Sequence, residues 1–275
     1  MLLITGATGA LGRLVTERLS GRTDVVVGTR TPAAGQRRID FDDPASLDLS
    51  GIDTVLMISA GAAEDDVVIA RHGALIAAAE QAGVRQIVYT SLSGDGDHLT
   101  YALAHRWTER RLRASSLEWT VLRNGLYAEF LAAVAPPGPD GTVTAPLGTG
   151  RLAAVARADL AEAAARVATD SRAHSGKVYE LVGEVALGGA ELAASVGGAY
   201  RPAELSATRT ALTAAGQALP FQVPMLMSTY SAIGGGFLDG TSVEGGSGAL
   251  RTLLGREPES ALDVYARTVR GGTGG

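Results

Sequence analysis

Apolar and β-favouring residues run without interruption through Met1-Leu2-Leu3-Ile4-Thr5 and stop at Gly6, after which the segment 13–19 is amphipathic. The pattern predicts a buried strand, a glycine turn and a helix. Similar strand-like runs recur at 24–30, 38–41, 53–59, 86–91, 118–123 and 177–182. Between them lie helical runs, including an alanine-rich one over 66–82 that stops at Gly83, an expected C-terminal cap, and another over 101–110. Strands alternating with helices place the chain in the α/β class. Asp42-Asp43-Pro44 reads as a turn and helix start, and Asp159 as the N-cap of a further helix. From about Gly183 the composition shifts to short helices and glycine-rich loops, including Gly234-Gly235-Gly236. The division expected is therefore a larger domain over 1–182 and a smaller C-terminal region over 183–275 that closes a substrate cleft. Pro136, Pro137 and Pro139 form a flexible lip to that cleft, and the tail 271–275 is expected to be disordered.

The glycines at 6, 9 and 12 carry the first chemistry. Gly6 lets the chain turn out of the strand, Gly9 removes a side chain where a pyrophosphate approaches backbone N–H groups, and Gly12 lets the helix pack closely. The spacing is GxxGxxG, not GxGxxG, but its place after the first strand, with a second strand following, predicts dinucleotide binding. The second strand ends in Arg30 with no acid. An acid there binds the ribose hydroxyls of NAD and a base pairs with the 2′-phosphate of NADP, so the expected cofactor is NADPH. The bland alternative is a solvated loop cation. Arg13 is placed to reinforce the same pocket. Asp40 and Phe41 are expected near the adenine, and Ser59, Ala60 and Gly61 where a dinucleotide crosses the strand ends. Thr90 and Ser91 end the fifth strand beside the expected nicotinamide position, where hydroxyls serve equally as donors or turn-formers. His72, within the helix over 66–82, reads as a packing or surface residue in preference to a catalyst. Tyr101 and His105, four apart, should share a helix face. Met225 to Met227 and Phe237 read as core in preference to a substrate pocket.

Composition narrows the classes. The 275 residues carry a net charge of −5, with no cysteine and four scattered histidines. Mild acidity without a basic stripe argues against a nucleic-acid partner. Disulfides, thiolate chemistry and cysteine zinc sites are excluded, and no metal site is expected. No apolar run reaches the length of a membrane span, and a first strand at residue 2 leaves no room for a signal peptide, so a cytoplasmic protein with no membrane partner is expected.

TGATGALG at 5–12, Arg30, VRQIVYTSL at 84–92, HRWTE at 105–109, VLRNGLYAE at 121–129, ARAD at 156–159 and GKVYEL at 176–181 follow one another in an order that resembles the bacterial NAD(P)H:quinone oxidoreductases of type 2, in the NmrA-like branch of atypical short-chain dehydrogenases. The resemblance reaches to about Val269. It implies an extended Rossmann fold, a doubly wound parallel sheet with a smaller C-terminal α/β substrate region. NADPH would lie along the strand ends and pass a hydride to a quinone or other apolar carbonyl acceptor without flavin or metal. It places Gly6, Ala7, Thr8, Gly9, Ala10 and Leu11 at the pyrophosphate, ahead of Gly12, Arg30 at the 2′-phosphate and Ser59 to Gly61 across the fourth strand. Asn124, Gly125, Leu126 and Tyr127, through Glu129, would lie near the nicotinamide and substrate. The TyrxxxLys pair of tyrosine-dependent relatives is absent, since Tyr101 is followed by His105 in the lysine's place. A quinone accepts hydride to give a delocalised hydroquinone anion that water can protonate, so a dedicated acid is less necessary than for a ketone. The catalytic candidates are His105, Tyr127 and Asn124; His105 or Tyr127 either stabilises the anion or is structural. Two other readings stay open. One is a sensor like NmrA that binds dinucleotide and a protein partner without turnover. The other is a ketone reductase of secondary metabolism using Tyr101 with Ser91.

Overall fold

The computed structural model describes residues 1–60, 63–96, 98–216, 218–241 and 248–271. The chain divides into two compact units: 1–92, 103–124 and 160–179 form one, and 93–102, 125–159 and 180–275 the other. The second unit thus includes 93–102, 125–159 and 180–182, which lie within the expected 1–182 domain.

The first unit is built on strands β1 (Leu2–Ile4), β2 (Val25–Thr29), β3 (Arg37–Arg38), β4 (Thr54–Met57), β5 (Gln86–Leu92) and β6 (Glu118–Asn124). They stand in the order β3-β2-β1-β4-β5-β6, every neighbouring pair parallel, and β9 (Val178–Leu181) follows β6 as the seventh strand. β4 and β5 are buried along their whole length, which is why they read as continuous apolar runs and not as alternation. The helices of this unit are α1 (Ala10–Arg18), α2 (Asp65–Gln81), α3 (Ala102–Arg113) and most of α5 (Arg157–Thr169). Leu75, Ile76 and Ala79 of α2 pack with Leu3, Val55, Ile87 and Tyr89 of the sheet. Gly83, at φ +70°, supplies the left-handed residue that ends α2.

Three local expectations change. The third strand is Arg37–Arg38 and not 38–41, because Asp40 already belongs to a turn: its carboxylate accepts from Asp42 N, and the Ser46 hydroxyl bonds its backbone on both sides. α3 begins at Ala102, so Tyr101 stands just before the helix that carries His105 and not within it. Asp159 is not an N-cap but lies in the first turn of α5, where its two oxygens accept from Arg256 and from the backbone N of Glu259. The N–H at the start of α5 is taken instead by the Glu129 carboxylate.

The second unit holds α4 (Ala128–Val134), β7 (Val143–Ala145), β8 (Arg151–Leu152), β10 (Leu187–Gly188), α6 (Gly189–Ser195), β11 (Tyr200–Pro202), α7 (Leu205–Ala215), α8 (Gln222–Gly234), α9 (Gly248–Leu254) and α10 (Ala261–Arg270). β7 pairs with β11 in parallel and β8 with β10 antiparallel. Its core is closed by α10 against α4 and α6, and the buried Tyr230 and Tyr265 donate their hydroxyls to the carbonyls of Val134 and Ala135 at the end of α4. Met227 is core, as expected, whereas Phe237 is exposed. The proline stretch is tied down by a bridge between Pro137 and Val143 and by the Gly138 N to Thr142 O bond of 2.8 Å. Residues 272–275 of the expected tail lie outside the described residues. No helix among the described residues is long and apolar enough to cross a membrane.

Glu109 of α3 is the electrostatic centre of the first unit. Its carboxylate is 1% exposed and accepts from Ser91, Arg106, Arg113 and Arg123. Burial alone would raise its pKa, but the Arg123 hydrogen bonds and the Arg106 charge outweigh that and hold it below the usual glutamate value of 4.5. Glu109→Ala, which removes the buried acceptor shared by three arginines, is expected to cost about 3 to 5 kcal/mol in urea unfolding at pH 7. Because the folded pKa is depressed, the wild-type contribution is complete above the ordinary glutamate value and is lost as pH falls through the folded one. The gap between wild type and Glu109→Gln should therefore close on acidification.

Candidate functional site

Strand order reverses between β1 and β4, and in open parallel sheets the crevice outside the carboxyl ends at such a point takes ligands. β1 delivers the chain into Thr5, whose hydroxyl donates to Leu56 O, and then into Gly6 at φ +64°. Gly9 N returns to Gly6 O at 3.0 Å, and α1 begins at the next residue with no side-chain cap at Gly9 and no acid in its first turn. The first-turn N–H groups of a helix have no intrahelical acceptor, and here they are left for a ligand. A Cβ on Gly12 would lie 2.1 Å from Gly6 O, so only glycine permits α1 to start this close to β1.

A cavity of about 420 Å³ opens beside this turn, lined by Gly6, Thr8, Gly9, Leu11 and Gly12. Its far wall is Gly28, Thr29 and Arg30 from the end of β2, and Ile39, Asp40, Phe41 and Asp42 beyond β3. Ile58, Ser59 and Ala60 after β4 complete it. Ala7, Ala10 and Arg13 are not among the lining side chains, and Gly61 lies outside the described residues. Arg71 of α2 also reaches the cavity, where it forms a two-pronged pair with Asp42 at 2.6 and 2.7 Å that lowers the Asp42 pKa. Arg30 makes no ion pair among the described residues. Sequence reasoning missed Gly28, Asp42 and Arg71. A Cβ on Gly28 would fall 2.9 Å from Ile39, so it too keeps the wall thin.

The end of β4 is fixed from behind. Ser59 N donates to Thr90 Oγ1 at 3.0 Å and Ala60 N to His72 Nε2 at 3.0 Å, while the Ser59 hydroxyl is buried beside that of Tyr89. His72 is fully buried and is therefore an interior residue, not a surface one.

His105 shares a 2.8 Å hydrogen bond with the buried Tyr89 hydroxyl. Desolvation, then the Arg106 charge, lower its pKa to about 4, so near neutrality it is an uncharged imidazole. Ser91 donates to Glu109 at 2.7 Å. Asn124, at the end of β6 and in register with Leu92, is buried with its Oδ1 unpartnered. In the second unit, Gly125 N bonds Leu181 O, and Leu126 O accepts from Val155 N. The Tyr127 ring lies 4.7 Å from the Arg157 guanidinium. Burial raises the Tyr127 pKa and Arg157 partly offsets it. Tyr101 bonds Thr229 Oγ1 at 3.0 Å, and burial raises its pKa as well.

The cavity matches a dinucleotide in kind: a helix N-terminus for a pyrophosphate, apolar Ile39 and Phe41 for a base, and Arg30 for an added phosphate. Among the described residues no cluster of histidines and carboxylates could hold a metal ion. Gly12→Ala should force the two backbones apart, lower the thermal midpoint through about 1 to 3 kcal/mol of overpacking, and abolish reduced-dinucleotide binding in a fluorescence titration.

Residues 6–171 match a family model described as NAD(P)H-binding. Quinone oxidoreductase 2 of Escherichia coli strain K12 is 39% identical over 212 residues, covering 71% of this chain and 73% of that protein. The solved NADPH complex of an Escherichia coli NADPH-dependent quinone oxidoreductase superposes with a TM-score of 0.86 at 33% identity, over 97% of this chain and 99% of that one. The NADP(H) complex of Citrobacter sp. triphenylmethane reductase gives 0.85 at 26% identity, over 97% and 99%. Fold, glycine cradle and these likenesses agree: the chain belongs to the NAD(P)H-binding oxidoreductase family that includes quinone oxidoreductase 2.

Proposed function

We propose that the protein uses NADPH to reduce a quinone-type acceptor by two electrons in the cytoplasm, with no flavin or metal. The observation that carries the choice of NADPH is the charge at the β2 end of the cavity. The Asp42 carboxylate is matched by Arg71, which leaves the Arg30 guanidinium to a ligand phosphate. Gly6, Thr8 and Gly9, with the first turn of α1, would hold the pyrophosphate, and Ser59 and Ala60 the dinucleotide where it crosses the strand ends. Bound NADPH supplies the hydride.

The protein's own groups then bear on the acceptor and the proton. A quinone that has taken a hydride is a hydroquinone anion, and one proton completes the product. His105, held neutral, offers a hydrogen bond but no charge at neutral pH. Tyr127 keeps its proton because burial raises its pKa, so its phenol can donate a hydrogen bond to a developing oxyanion, beside the Arg157 charge. Asn124 carries a buried, unpartnered carbonyl oxygen. Its amide is suited to orient a polar group of cofactor or acceptor. The proton itself comes from water, which a delocalised anion of low basicity permits. A ketone's alkoxide would need a stronger donor. Tyr101 is poorly suited to that task, since its hydroxyl is engaged by Thr229, its pKa is raised, and the residue four further on is a histidine and not a lysine.

Mixing the pure protein with NADPH and a panel of small quinones should oxidise NADPH rapidly, and NADH poorly, as read by loss of nicotinamide absorbance. Arg30→Ala removes a charge-assisted bond worth about 1.5 to 3 kcal/mol and should raise KM for NADPH about 10- to 150-fold while leaving that for NADH nearly unchanged. Tyr101→Phe should leave quinone turnover within about twofold, as expected for a surface-independent hydroxyl outside the chemistry. Binding of NADPH without oxidation by any quinone would favour the regulatory reading.

The pH profile offers an independent check. With His105 titrating at about 4, kcat should be flat from weakly acidic to weakly basic pH. A decline is expected only as pH falls toward that value, and His105→Gln should remove it. A limb in kcat near pH 6.5 that vanished in His105→Gln would show instead that the imidazole titrates normally and acts as an acid.

A further inference from the structure

Three consecutive backbone N–H groups at the end of β4 donate to three side chains from three different elements. Ile58 N bonds Thr5 Oγ1 at 3.1 Å, Ser59 N bonds Thr90 Oγ1 at 3.0 Å, and Ala60 N bonds His72 Nε2 at 3.0 Å. Ile58, Ser59 and Ala60 all line the dinucleotide cavity. Such side chain to backbone bonds replace the ladder that the strand gives up at Met57 and hold an irregular, cavity-facing segment in one conformation.

The third of these partners is chemically the most constrained. His72 is completely buried in α2, and burial, with the charges of His105 and Arg71, lowers its pKa to about 3. It is thus uncharged at any working pH. Its Nε2 accepts from Ala60, so its proton sits on Nδ1 and donates to Thr108 Oγ1 at 2.8 Å; Thr108 in turn donates to Ala104 O at 2.7 Å. Every hydrogen in the chain from Ala60 to α3 therefore has one direction, and the imidazole cannot flip or change tautomer without leaving a buried donor unpaired. Arg71, the preceding residue, reaches the same cavity from outside.

We infer that His72 is a positioning residue of the dinucleotide site: its Nε2, oriented by Thr108, fixes the Ser59–Ala60 wall. It touches no ligand itself. The inference rests on the assignment of the cavity to NADPH and adds the element that tunes affinity there.

The test compares His72→Phe, His72→Gln and Thr108→Val by NADPH fluorescence titration, quinone turnover at saturating NADPH, and thermal unfolding without ligand. His72→Phe keeps bulk but offers no acceptor, and its Kd for NADPH should rise about tenfold, equivalent to ~1.4 kcal/mol. Glutamine places an amide oxygen near the position of Nε2 and should recover most of that loss. Thr108→Val leaves the acceptor but loosens its orientation, and should raise Kd about two- to threefold. In all three, kcat at saturation should stay within about twofold, because the bound complex still forms. A folded His72→Phe protein with the wild-type Kd overturns the inference. So does a Kd loss that His72→Gln shares in full, since burial and not the acceptor would then be responsible. If His72→Phe does not fold, Thr108→Val decides, and an unchanged Kd there overturns it. Failure of the wild type to bind NADPH at all would instead refute the cavity's assignment.

Discussion

No side chain fits between Gly12 and the carbonyl of Gly6, and this close approach of two backbones is the constraint from which the site follows. A methyl group at 12 would sit 2.1 Å from that oxygen. Because it is absent, α1 starts directly against the end of β1, and its first-turn donors face the crevice where the strand order reverses. Every wall of the cavity is then referenced to this point: β2 and Arg30 on one side of β1, β4 and Ser59 on the other. A glycine is also needed at 28, where Ile39 crosses beneath the wall. The cavity is therefore a product of backbone proximity, and side chains only finish it.

The finishing is done largely by buried polar groups that a strand would not need. Beyond Met57 the chain has left the ladder but not the interior, so its N–H groups must find partners or carry the cost of isolation. Thr5, Thr90 and His72 provide them. Glu109 does the same for the Ser91 hydroxyl and for Arg106, Arg113 and Arg123. These contacts explain why hydroxyls at strand ends, which look like ligand donors, are in part internal fasteners: Ser91 spends its proton on Glu109, and Thr90 uses its oxygen on Ser59 N.

The sheet, the helix order and the glycine cradle were legible in the sequence because each is a local pattern: a buried parallel strand is an apolar run, and the turn that follows needs glycine at set spacing. Arg30 was legible because it stands next to a strand end. Arg71 and Asp42 were not, since they are 29 residues apart in the chain and meet only when α2 lies beside the turn that follows β3. His72 was read as packing or surface, and single-sequence patterning offered no way to see that Ala60 N would arrive at its Nε2. The misplacement of Asp159 has a similar cause. Its local setting suits an N-cap, but Glu129 reaches the helix start from another element and frees Asp159 to hold Arg256 and Glu259. The grouping of 93–102 and 125–159 with the later chain was hidden for the same reason, since these segments sit between strands of the first unit in sequence.

The titratable groups named as catalytic candidates share one property that bears on the chemistry. Desolvation lowers His105 and raises Tyr127 and Tyr101, so near neutrality each is uncharged and each resists giving up or taking a proton. A site designed to protonate an alkoxide would do the opposite and press a phenol toward ionisation with a neighbouring cation, as the TyrxxxLys arrangement does. Here the cation's place is held by a neutral imidazole that is itself bonded to Tyr89. What such groups offer is polarity without proton exchange, which suits an acceptor whose reduced form spreads its charge over a ring and can wait for water. With His105 where tyrosine-dependent relatives carry lysine, the proposed quinone reduction asks less of acid catalysis than the reduction of a ketone would.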